Sequence, residues 1–217
     1  MSYGINAPSG LVPSEYLNGA LWTGQTSEYN ILSGLAASIY TGDPVIPDGA
    51  GGITIATAGT GNATIGSFQG CKYIDAAGVV QFSPFWLSGT VTRGGVAATA
   101  FVADDPNILY DVQIASGAGG AVPAPSIALV DLGANYNLQV AQGTTYNPIG
   151  GVTPLPNPAI GSALGGRSVW YLNSVGFGAG ATIQMKVIRF TPVPGNTARR
   201  GAMGRWRRLR ASGAGVL

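Results

Sequence analysis

Nowhere before residue 195 do apolar residues hold the i, i+3, i+4, i+7 spacing through three turns without a glycine among them. The chain therefore offers no stripe on which a helix could pack, and its hydrophobic residues must be buried from strands. They come in short runs set apart by the 35 glycines and 14 prolines. The clearest run is Ile108–Ala115, where Ile108, Tyr110, Val112 and Ile114 alternate with Leu109, Asp111, Gln113 and Ala115, giving one apolar and one mixed face. Thr182–Phe190 repeats the pattern, with Ile183, Met185 and Val187 set against Thr182, Gln184 and Lys186. Ser168–Val175, Ile53–Thr57 and Val79–Phe82 are further strands. Many short strands with frequent turns predict an all-β fold: a single β-barrel or jelly-roll-like β-sandwich with extended N-terminal and C-terminal arms.

The expected organisation is an extended arm over residues 1–16, a β domain over 17–194 and a basic arm over 195–217. Gly143–Gly166 is mostly Gly, Pro, Asn and Thr and reads as a long surface loop. Charged residues make up 9% of the chain and hydrophobic ones 46%. That balance rules out disorder driven by charge and leaves weakly polar surface that an oligomer would bury. No run of 18 or more apolar residues marks a membrane span, and MSYGINAPSGLVPSEY lacks the basic start and apolar core of a signal peptide. The expectation is a protein made and folded in a cytoplasm. The lone Cys71 can form no intrachain disulfide and reads as a buried, inert thiol.

Charge is sharply divided. Up to Asp131 there are nine carboxylates against Lys72 and Arg93, a formal −7; from Leu132 onward there are nine basic residues and no acid. Six of those nine, Arg199, Arg200, Arg205, Arg207, Arg208 and Arg210, crowd into ARRGAMGRWRRLRAS with Trp206 among them. Guanidinium groups pair with carboxylates or phosphates, and Gly201 and Gly204 weaken any helix there by about 1 kcal/mol each. The tail is thus expected to order on a partner, first an acidic surface of a neighbouring protein subunit and second nucleic acid, a solvated tail being the remaining reading. Deleting Arg199–Leu217 is expected to weaken assembly and to leave the β domain folded. In the N-terminal arm, Tyr3, Ile5, Leu11 and Val12 are too apolar for a solvated leader and are expected to pack on a partner subunit.

Catalytic chemistry has little to work with. The chain has no histidine, which removes Ser-His-Asp and Cys-His catalysis and histidine metal sites. Asp104 and Asp105, with Asp111 nearby, could supply carboxylates for a glycosidase or a calcium site, but ADDPN is also a strong turn signal and is read as one. Asp43-Pro44 in TGDPV has the same turn chemistry. The segments Asp48–Gly52 and Gly117–Gly120 lack the lysine and Ser/Thr of a phosphate loop and read as turns. The expectation is a protein that is not an enzyme and takes no cofactor or metal.

Five stretches resemble, in order, the small head proteins of tailed bacteriophages known as capsid decoration or cement proteins. They are YLNGALWTGQTSEYNI (Tyr16–Ile31), IYTGDPVI (Ile39–Ile46), FVADDPNILYDVQ (Phe101–Gln113), DLGANYNL (Asp131–Leu138) and KVIRFTPVPGN (Lys186–Asn196), together spanning about 180 residues. The resemblance implies a β-rich virion protein on the outer surface of the capsid. It would bind the major capsid protein as a homotrimer, or a dimer, bridging adjacent subunits. The arginine-rich C-terminus extends beyond the pattern. The alternatives are another head-tail or tail structural protein, or a nucleic-acid-binding protein using the basic arm; no membrane partner is expected.

Overall fold

The computed structural model describes residues 9–59, 64–115, 132–140, 168–178, 185–190 and 208–213. The first half of the chain supplies β1 (Val12–Tyr16), β2 (Ser27–Ile31), β3 (Ile39–Tyr40), β4 (Pro44–Pro47), β5 (Ile53–Ile55), β6 (Gly66–Ile74), β7 (Val80–Ser83), β8 (Phe85–Trp86) and β9 (Ala98–Ala103). The second half supplies β10 (Ile108–Ala115), β11 (Asn135–Val140), β12 (Trp170–Gly178), β13 (Met185–Phe190) and β14 (Arg208–Gly213). The fold is all-β, and among the described residues the only helical turn is a 3-10 turn at Arg93–Gly95.

One sheet runs β2-β9-β6-β4-β5, with β7 pairing β6 beyond the end of β4. Its core gathers Ile31, Ile39, Val45, Phe68, Cys71, Trp86 and Val102. Simple alternation would send Phe68 and Cys71 to opposite faces. The register slips between Phe68 and Gly70 against β9, and Gly70 sits at φ +145°. This β-bulge inserts one residue and turns both side chains inward.

The second sheet closes on itself. Its order is β1-β10-β12-β11-β13-β14, and β14 also pairs with β10, so β10, β12, β11, β13 and β14 form a five-stranded ring. All its pairings are antiparallel except β10 with β12. The ring encloses the predicted apolar face of β10 (Ile108, Tyr110, Val112 and Ile114) with Tyr136, Leu138, Trp170, Leu172, Met185 and Val187. Closure removes the open edges that a flat sheet of this size would expose.

Parts of both expected arms are strands of this sheet. Leu11 is buried and Val12–Tyr16 pairs with β10, because an apolar residue followed by a strand finds the free edge of β10 beside it. At the other end Arg208–Gly213 fills the gap between β10 and β13; backbone pairing is indifferent to how basic the strand is. Of the expected strands, Ile108–Ala115 is β10 itself. Ser168–Val175, Ile53–Thr57 and Val79–Phe82 correspond to β12, β5 and β7 with shifted ends. The expected loop at 143–166 lies outside the described residues.

The two six-stranded sheets are tied at a tight crossing. Gly10 N–H donates to Trp170 O, Leu11 N–H to Gly42 O, Gly42 N–H to Phe68 O and Ser168 N–H to Thr41 O, all within 2.8–3.2 Å. Gly10 has φ +66°, and a Cβ there would collide with the Gly42 carbonyl oxygen and Ser168 Oγ. Gly10→Ala is therefore expected to lower stability by roughly 2–5 kcal/mol through left-handed strain and overpacking. Chemical denaturation would show this, and an unchanged midpoint would mean the crossing is loose.

Candidate functional site

Asp43 lies at this crossing, between β3 and β4. The turn expected from TGDPV is present, with Asp43 N–H donating to Tyr40 O at 2.9 Å, but the side chain is not a surface turn residue. It is 1% exposed, its Oδ2 accepts the Tyr40 N–H at 2.8 Å, and Ser168 hydrogen-bonds it. Burial pushes its carboxyl up to about 7, against the opposing effects of the Ser168 and Tyr40 hydrogen bonds. Beside it opens a cleft of about 660 Å³ between the sheets, whose described lining includes Ser38, Tyr40, Asp43, Gln139 and Trp170. The indole N–H of Trp170 is buried and has no hydrogen-bond partner. An uncharged carboxylic acid in this setting can both accept and donate a hydrogen bond. Sequence reading missed the site because burial depends on Gly10 and Ser168, which are remote in the chain.

Asp104, Asp105 and Asp48 serve local structure. Asp105 accepts the Asn107 N–H at 2.8 Å and Ile108 N–H donates to Asp105 O at 3.0 Å, so ADDPN is the expected turn. Asp104 accepts the hydroxyls of Ser27 at 2.9 Å and Tyr29 at 2.8 Å, which fastens the end of β9 to β2. Asp48 accepts the Ala50 and Gly52 N–H groups, at 2.7 and 2.8 Å. Among the described residues no group of three His, Cys, Asp or Glu side chains converges in a metal-binding arrangement. Cys71 is the buried thiol expected, and burial raises its pKa to about 12.

Of the basic and apolar residues expected to bind partners, Tyr3, Ile5, Arg199, Arg200, Arg205, Trp206 and Arg207 lie outside the described residues. Arg208 and Arg210 fall within β14, in register with Gln113 and Asp111 of β10, and Arg210 also with Arg189 of β13. Charge from the two halves meets where Arg189 of β13 forms an ion pair with Glu15 of β1.

The surface of the first half is unusually apolar. Leu17, Leu21, Ile74, Val79, Val80, Phe82, Val91 and Val96 are all exposed, Leu21 at 73% and Phe82 at 71%. Four of them lie on the β6–β7 hairpin. Ile74 faces Val80 and Lys72 faces Phe82 across the ladder, and the Lys72 ammonium sits 5.5 Å from the Phe82 ring centroid, a cation–π contact. The opposite face of the hairpin is inward, with Tyr73 packed edge-on against Trp86 at 5.4 Å. Comparison of the chain with family models, with curated proteins and with solved structures finds no match.

Proposed function

We infer that this chain is a structural protein of a phage head, one that binds the outer surface of the capsid and bridges adjacent subunits. The observation that carries this reading is the uncovered apolar surface of the first half. Every large hydrophobic side chain that stands exposed among the described residues falls between Val12 and Val96, on a body where charged residues are only 9% of the chain. Such a surface is costly in water and is covered in an assembly. The division into a −7 half and a +9 half supports the same reading, since it gives copies and neighbours segments of opposite charge to pair. A protein that binds only the assembled shell stabilises that shell by mass action. An oligomer attached at several points turns modest single contacts into slow release.

Co-sedimentation of the purified protein with bare phage heads, beside a duplex DNA control, tests the reading. Saturable binding at a fixed ratio to capsid subunits is expected. Absence of head binding, together with DNA binding that falls with salt at a log–log slope of about −5 for six arginines on phosphates, would transfer the basic tail to nucleic acid and end the capsid reading.

A further inference from the structure

The hairpin of β6 and β7 combines three features that the body otherwise keeps apart. Its outer strand is unpaired: among the described residues β7 bonds only to β6. The strand carries none of the devices that usually blunt an edge, having no proline, no charge and no bulge in Val80–Ser83. It also presents Val80 and Phe82 outward beside Ile74.

Around this strip stand the only two basic residues of the first 131, Lys72 and Arg93. Lys72 lies over Phe82 at one end of β7. Arg93 reaches the other end, where its guanidinium lies against Gly78 in the hairpin turn; the Asp75–Thr92 bridge holds its loop there. Both side chains are exposed. Among the described residues neither forms an ion pair with a carboxylate, as Arg189 does with Glu15. The acid nearest Lys72 in sequence, Asp75, which also bridges to Thr92 beside Arg93, is already committed: it accepts the Val79 N–H and the Gln81 side-chain amide, each at 2.9 Å. An acidic half of the chain thus puts both of its cations at the ends of one apolar, open-edged strand.

We propose that the outer edge of β7 docks an extended strand of a partner protein, apolar at alternate positions and carrying carboxylates at its two ends. Backbone hydrogen bonds to the free edge supply the register, Val80 and Phe82 the apolar contact, and Lys72 and Arg93 the charge pairing that fixes direction and selects the partner. A second copy paired through its own β7 fits poorly, because it would bring two more cations and no uncommitted carboxylate to the strip. A four-residue edge covers well under the roughly 1,000 Å² of a stable interface, so this is one contact among several. The proposal stands on the hairpin alone and does not depend on the capsid reading.

The test is a titration of the isotope-labelled full chain, followed by backbone amide NMR. Its two probes are end-blocked peptides with the same alternating valine–threonine core, one flanked by glutamates and one by lysines. Shifts are expected at residues 72–74, 79–83 and 93, with the glutamate-flanked peptide binding at least about tenfold more tightly at low salt. The charge-reversed variant K72E/R93E should invert that preference, and K72E alone serves if the double variant is unfolded. Absence of shifts at millimolar peptide, binding without charge preference, or movement of the same resonances with protein concentration alone would each overturn the proposal, the last by assigning the edge to a second copy.

Discussion

Replacing Asp43 by Asn is expected to raise the unfolding temperature at pH 8 and to leave it almost unchanged near pH 4. Burial lifts the folded-state carboxyl from 3.8 to about 7, while in the unfolded chain it titrates at its ordinary value. Below pH 4 the group is protonated in both states and imposes no penalty. Between about 4 and 7 the unfolded chain releases the proton and the folded one keeps it, so stability falls as pH rises, by about 1.4 kcal/mol per unit. Above 7 both forms are ionised and the loss, on the order of 4 kcal/mol, is complete. Asparagine keeps an oxygen to accept the Tyr40 N–H and an amide to meet Ser168 Oγ, and it carries no ionisable proton. Asp75 acts in the opposite direction. The Val79 N–H and the Gln81 amide lower its carboxyl, so its contribution is lost as pH falls, equally in both proteins. The difference between variant and wild type therefore isolates Asp43. Parallel curves from pH 4 to 8 in thermal melts would show that the buried carboxyl does not titrate in this range.

Ending the chain after Arg207 is expected to disrupt the second sheet, contrary to the sequence-based expectation that the β domain survives loss of the tail. Strand β14 makes four residue pairings with β10 and five with β13. Its removal opens the ring and leaves two unpaired edges beside the core around Tyr110, Val112 and Val187. Each lost backbone hydrogen bond is worth about 1 kcal/mol net, so the total rivals the whole stability of a typical domain, roughly 5–15 kcal/mol. At about 2–4 °C per kcal/mol for a chain of this size, a fall of at least about 10 °C, or loss of the cooperative transition, should appear in near-ultraviolet circular dichroism. A truncated chain that melts with the wild type would remove β14 from the barrel.

The two predictions mark where sequence reading succeeds and where it stops. Alternation along Ile108–Ala115 was legible because a strand with one buried face writes period two into the chain. The ADDPN turn was legible because Asp105 bonds to Asn107 two residues on, which is local chemistry. Asp43 resisted, although its turn is local chemistry, because its burial depends on segments that meet it only after the sheets have packed. The bulge at Gly70 resisted for a related reason: a glycine among strand residues does not say which way the register slips. The basic C-terminus misled most. Its composition describes how it meets water and partners, whereas its place in the sheet is set by the edges that β10 and β13 leave open.

The closed ring also fixes when this protein can finish folding. Strand β10 needs β14, which lies roughly a hundred residues later, so a nascent chain holds its Ile108–Ile114 face without a complete wall until residues 208–213 have left the ribosome. The first sheet, drawn from residues 27–103, has all its strands far earlier and can assemble while synthesis continues. Folding on the ribosome should thus proceed in two stages, with an intermediate whose exposed β10 edges invite chaperone binding or pairing between neighbouring nascent chains. Premature termination before residue 208 would then yield a half-built, aggregation-prone product rather than a shortened but working one.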